Sequence, residues 1–147
     1  MSISTQEILA QATFFSDNVD YSIIRLPPKA ITLGAGIVAE IGEPFVALLV
    51  DKDEVTLILP LEAVNDFGER LRSHVASPKA FRLITVDIVL DFELTGFMAH
   101  ISTALAAASI PIMPLAAFSR DHVLVPADQL DIALNTLNRL KSTNNQE

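Results

Sequence analysis

Apolar and polar positions in this chain follow two rhythms, one of period two and one of period between three and four. The first marks strands and the second helices with one buried face. Strand rhythm is clearest from Phe81 to Leu90, where Ile84, Val86, Ile88 and Leu90 alternate with Leu83, Thr85, Asp87 and Val89. Tyr21–Leu26, Phe45–Val50, Val55–Leu59, Ile110–Phe118 and His122–Val125 read as further strands, bounded by Pro, Asp and Ser. Helical spacing joins Ile8, Leu9, Ala12 and Phe15 behind Ser4-Thr5-Gln6-Glu7, which has the form of a capping box. It returns at Leu61, Val64, Gly68 and Leu71, at Phe97, Ile101, Leu105 and Ala108, and at Leu130, Leu134 and Leu137. The segment ITLGAGIVAEIGEP reads as one short helix closed by Gly42 and Pro44. In the last helix Asp128 and Asp131 come early and Arg139 and Lys141 late, as the helix dipole prefers.

These elements repeat. Leu57-Ile58-Leu59-Pro60-Leu61-Glu62 and Val123-Leu124-Val125-Pro126-Ala127-Asp128 share one layout: apolar strand, proline, apolar residue, acid, helix. A tight charged turn, Asp51-Lys52-Asp53-Glu54, precedes the first and Ser119-Arg120-Asp121 the second, so each half contains a hairpin. His74 to Lys79, HVASPK, reads as the linker between them. The expected division is therefore residues 1–76 with the leading helix, residues 77–141, and a disordered tail at 142–147. Each half reads β-α-β-β-α and leaves a sheet edge open, so the halves are expected to complete each other by sharing or exchanging a strand.

Composition narrows the chemistry. The 147 residues are half hydrophobic with few aromatics, which predicts an aliphatic core. A formal net charge of −8 argues against nucleic acid, whose phosphates need a basic surface. The absence of cysteine excludes disulfides, thiolate zinc sites and cysteine nucleophiles. No Asp, Glu, Lys or Arg occurs between Leu94 and Ser119, but Pro111 and Pro114 interrupt that run. It is read as a buried helix and strand instead of a membrane span. The N-terminus lacks the pattern of a signal peptide, so a cytoplasmic location is expected. Gly34-Ala35-Gly36-Ile37-Val38-Ala39 fits G-x-G-x-x-A, yet Pro44 leaves too short a helix for a dinucleotide-binding crossover. His74, His100 and His122 lie in separate elements without ligand spacing, and no nucleophile motif occurs. Neither a metal, a cofactor nor catalysis is expected.

LDFELTG, an alanine-rich helix, and then IPIMPLAAFSRDHVLVPADQLDIAL resemble the C-terminal half of small tandem ACT-domain proteins. YSIIRLPP through FVALLV and VTLILPLEAV is compatible with that family's first, more divergent half. The resemblance implies an α+β fold of two ferredoxin-like βαββαβ ACT domains. It also implies a regulatory role in which an amino acid binds at interfaces between paired domains, as in aspartate kinases and cytosolic arginine sensors. The loop after the first strand would face the ligand, which carries over to Asp91, Phe92, Glu93, Leu94, Thr95 and Gly96. Amides near Gly96 would hold a carboxylate, and Asp91 or Glu93 an amino group. Ile112, Met113 and Pro114 would form an apolar wall. Ala116-Ala117 stands where the family often has Ser-Thr, which removes two hydroxyls. The expected partner is a second copy of the chain, giving a homodimer. The alternative is an interaction or dimerisation module whose pocket is vestigial. Asp91 or Thr95 capping the helix, and Gly96 allowing close helix packing, are the structural alternatives to ligand contact.

Overall fold

Elements form largely where the apolar rhythm puts them. In chain order they are α1 (Thr5–Gln11), β1 (Phe14–Phe15), β2 (Tyr21–Leu26), α2 (Ile31–Ile41), β3 (Ala47–Val50) and β4 (Val55–Pro60). Then come α3 (Leu61–Asp66), β5 (Val75–Ala76), β6 (Phe81–Val86), α4 (Phe97–Ala107), β7 (Met113–Ala116), β8 (Asp121–Pro126) and α5 (Leu130–Asn144). A 3-10 turn, Ala127–Gln129, leads into α5. The computed structural model describes residues 4–144. It divides into one unit spanning Val19–Phe81 and another made of the N-terminal segment to Asn18 together with the chain from Arg82 onward.

In the Val19–Phe81 unit, β2 pairs antiparallel with β4 from Tyr21↔Pro60 to Leu26↔Val55, and β4 pairs with β3. The two-residue β5 lies on the other side of β2, with Ile24 opposite Ala76. The strand order β5-β2-β4-β3 and the helices α2 and α3 complete a βαββαβ unit. Its core is aliphatic: Ile24, Ile37, Leu57, Leu59 and Leu71 are at most 1% exposed. Each such side chain contributes about 1.5–3 kcal/mol by leaving water. Gly34, inside α2, lets the helix sit close to its sheet, because a Cβ there would lie 2.9 Å from Leu48 Cδ1. Both glycines of the G-x-G-x-x-A run are interior to α2 and do not form a turn before it.

The other unit repeats the plan with β6, α4, β7, β8 and α5, but its outer strand comes from the opposite end of the chain. β1 pairs antiparallel with β6 (Phe14↔Val86), and β8 lies between β6 and β7. Helix α1 begins with a true capping box: Glu7 N–H donates to Ser4 Oγ at 3.2 Å and Ser4 N–H to Glu7 Oε2 at 2.9 Å. Ile8, Leu9, Ala12 and Phe14 enter the same core as Ile84, Ile101, Leu105, Val123 and Leu137.

Four expectations need correction. The leading helix belongs with the C-terminal half, because its apolar face is buried in that core. HVASPK is not a bare linker: it contains β5, and Ser77 N–H donates to Ile23 O at 2.8 Å. The alternation to Leu90 outlasts the strand, since β6 ends at Val86 and Asp87 N–H turns to Thr13 O at 2.7 Å. Finally, α5 runs through Asn144, with Ser142 and Thr143 hydroxyls donating to carbonyls four residues back. The rest of the expected tail, residues 145–147, lies outside the described residues. Among the described residues no helix is long and apolar enough to cross a membrane.

Candidate functional site

The C-terminal unit opens a cleft of about 410 Å³ between the loop after β6 and the β7–β8 hairpin. One wall is Leu90, Asp91, Phe92, Leu94 and Gly96, continued by the first turn of α4. The facing wall is Ala116, Ala117, Phe118 and Asp121.

The first wall is shaped by backbone bonds that the sequence sets up locally. Asp91 Oδ1 accepts from Glu93 N–H at 2.9 Å, an Asx turn that reverses the chain. Leu94 N–H then donates to Asp91 O at 3.1 Å. Gly96 follows in the left-handed region, φ 80°, as the N-cap of α4, and no side chain caps the helix. A Cβ on Gly96 would meet nothing within 4 Å. Backbone conformation, not close packing, is therefore what glycine supplies here. Asp91 and Thr95 do not cap α4: Asp91 is committed to its own turn, and the Thr95 carbonyl accepts from Thr5 Oγ1 at 2.9 Å. Phe97, Met98 and Ala99 line the cleft, so the helix start, with its partial positive charge, faces that space.

The two walls are tied together. Leu90 N–H donates to Ser119 O at 2.6 Å, and Arg120 Nε approaches Asp87 Oδ1 at 3.0 Å. Across the mouth the Phe92 and Phe118 rings meet edge to face, with centroids 4.8 Å apart, although both remain mostly exposed. Among the described residues lining the cleft the charged ones are Asp91 and Asp121, both acidic. Burial raises the Asp121 pKa above the usual 3.8, an effect opposed by nearby His122. Burial lowers the His122 pKa below 6.5; Asp121 opposes that shift and Arg120 adds to it. The His122 ring stays close to the sheet through Nδ1, 2.9 Å from Thr85 Oγ1.

Of the nine residues expected at the site, Asp91, Phe92, Leu94 and Gly96 line the cleft. Glu93 and Thr95 contribute backbone bonds behind it. Ile112, Met113 and Pro114 are not part of it: Met113 and Pro114 sit opposite Leu124 and Val123, toward the other end of β7. The wall instead lies at the hairpin end, where Ala116 pairs with Asp121. Phe118 and Asp121 were not anticipated as lining residues; their position in the turn facing the Asp91–Gly96 loop was the available signal.

Comparison with known proteins bears on the fold. Residues 76–139 match the model of the ACT domain. The chain is 25% identical over 140 residues to the cytosolic arginine sensor for mTORC1 subunit 1 of Rattus norvegicus, covering 95% of this chain and 41% of that protein. The Mus musculus counterpart is 26% identical over the same coverage. The chain thus spans about two fifths of the length of these curated relatives. Among solved structures, a protein of unknown function from Vibrio cholerae superposes with a TM-score of 0.73 at 23% identity, covering 94% of this chain and 96% of that one. The ligand-free regulatory subunit of aspartate kinase from Thermus thermophilus gives 0.67 at 16% identity, covering 88% and 98%. These likenesses establish a shared fold, an α+β arrangement of ferredoxin-like βαββαβ repeats. The likeness to the ACT domain is thus carried by residues 76–139.

Proposed function

We propose that the chain is a non-catalytic regulatory module whose C-terminal cleft binds a free amino acid, with cationic amino acids the first candidates. The observation that carries this reading is the pairing of chemistries across one cleft: an uncapped helix start on one wall and Asp121 on the other. Amides at the helix start suit an α-carboxylate. Asp91 and Asp121 suit an ammonium or guanidinium group, and the Phe92–Phe118 pair offers ring faces to such a cation. The arginine sensors named among the relatives make arginine the leading candidate, and their cytosolic description supports a cytosolic setting. As a regulatory module the chain would act through a second copy or a partner whose state the bound ligand changes.

Thermal denaturation against a panel of free amino acids tests this directly. A ligand at a hundred times its dissociation constant stabilises by about 2.7 kcal/mol, which is readily measured. Arginine or lysine is expected to give the largest shift, and no shift with any amino acid at millimolar concentration overturns the reading. Gly96→Asp should abolish the shift, since the new carboxylate faces the ligand's own while Asp tolerates the left-handed region better than most residues.

A second reading, an interaction module with a vestigial pocket, draws on one observation. Phe92 is 74% and Phe118 79% exposed, more than solvent-facing aromatics on a self-contained surface require. Under that reading a Phe92→Ser, Phe118→Ser variant loses self-association in sedimentation, and amino acids shift neither protein.

A further inference from the structure

The loop that forms the first wall of the cleft is held from behind by the N-terminal helix. Thr5 is the first residue of α1 and is half-buried; its Oγ1 donates to the Thr95 carbonyl at 2.9 Å. The capping box at Ser4 and Glu7 fixes that first turn, and Ile8, Leu9 and Ala12 anchor the helix in the core of the same unit. The peptide joining Thr95 to Gly96 is planar, so its N–H points opposite its C=O. A carbonyl directed toward Thr5 therefore directs the Gly96 N–H away from α1. Gly96 itself lines the cleft.

Glycine makes this bond matter. With φ 80° and nothing within 4 Å of a Cβ position, Gly96 offers little steric resistance to rotation of the preceding peptide plane. Turns that differ by such a rotation interconvert when the residue after the rotating peptide is glycine. A peptide with two accessible orientations needs an external contact to choose one. Among the described hydrogen bonds, the Thr5 hydroxyl is what holds the Thr95 oxygen.

Resting on the proposed amino-acid site, we propose that Thr5 is a positioning residue that aims the Gly96 amide at the ligand's carboxylate, which makes α1 a regulatory latch on the cleft. Seven residues are too few for a helix to persist undocked, so α1 keeps this geometry only while it is packed. Linkage is reciprocal: whatever displaces α1 weakens ligand binding, and bound ligand holds α1 in place.

The test uses the full chain with Thr5→Val and Thr5→Ser, titrated with arginine and with agmatine, which is arginine without its carboxylate. Thr5→Val should weaken arginine binding by roughly threefold to tenfold, as expected for one lost hydrogen bond. Agmatine binding should be unchanged, and Thr5→Ser should restore arginine binding. In nitrogen–proton correlation spectra the Gly96 amide should move in Thr5→Val while signals of α1 persist. If the unmodified protein binds arginine and Thr5→Val binds it equally well, the latch is overturned and the site stands. Equal losses for arginine and agmatine also overturn it, because they mark a general structural role. If the unmodified protein binds neither compound nor any other amino acid, the functional reading fails and takes the latch with it.

Discussion

The two units solve the same junction in opposite ways. In the Val19–Phe81 unit, β2 passes to α2 through Pro27, Pro28, Lys29 and Ala30, and two of those four residues have no N–H to offer. Its hairpin is closed by Asp51, whose Oδ1 accepts from Asp53 and Glu54 N–H at 2.8 and 3.0 Å. The C-terminal unit uses the longer Asp87–Gly96 stretch to reach α4, and its hairpin carries Ala116, Ala117 and Phe118. Under the helices the contrast continues. Gly34 lets α2 approach its sheet closely, whereas α4 rests on Phe97, Ile101 and Leu105. A shared topology thus leaves hollows of similar size beside this junction, about 380 Å³ in the first copy and 410 Å³ in the second, with different walls. The hollow at the equivalent place in the first unit, bounded by Pro27, Pro28, Asp53 and Glu54, has proline where the cleft has amides.

The sharpest way to break this contrast is at the two glycines. Gly34→Leu must displace Leu48 and Val55 and is expected to destabilise by about 2–3 kcal/mol in urea unfolding. A neutral result would mean that α2 is not held close by that glycine. Gly96→Ala meets open space and should cost only about 1–2 kcal/mol, through its left-handed backbone alone. Gly96→Asn should recover most of that loss, since Asn tolerates this region; equal costs for Ala and Asn would point to a packing role instead.

Smaller effects should appear on acidification. Because burial lowers the His122 pKa, its contribution to stability is fully present above the unfolded value of 6.5 and is lost as pH falls from there through the lower folded value. His122→Gln should flatten that part of the stability profile. Asp121 has the opposite sign: its raised pKa favours the protonated form when folded, so its effect is most favourable at low pH and declines as pH rises through the folded value. Asp121→Asn is therefore expected to stabilise the ligand-free protein slightly at neutral pH while weakening binding of a cationic amino acid. A variant that lost stability instead would show Asp121 to be a structural acceptor.

Most regular elements were legible because each buries one continuous face. Tyr21–Leu26 forms β2 with both boundaries as expected, and α2 ends at Gly42 as its composition indicates. What escaped was too short to carry a period. Phe14–Phe15 and Val75–Ala76 are strands only because β6 and β2 supply partners distant in sequence. Nothing in two residues encodes that pairing. The site shows the same limit. The Asx turn at Asp91 and the glycine cap at Gly96 are local chemistry, yet the sequence alone reads with Asp91 or Thr95 as the cap and Gly96 as a close-packing or ligand-approach residue. Which end of β7 meets them depends on register, and the pairing of Ala116 with Asp121 moved the wall away from Met113 and Pro114.

The origin of β1 also bears on the order in which the protein assembles. The Val19–Phe81 unit is continuous in sequence and has all its strands once β5 has left the ribosome. The other unit starts earlier and finishes later: α1 and β1 emerge first but find β6, α4 and α5 only after the intervening unit has been made. Closing so long a loop is slow, and until it closes Ile8, Leu9 and Phe14 have no core to enter. Of the elements described, the apolar face of α1 is therefore the one that waits longest during synthesis for its core.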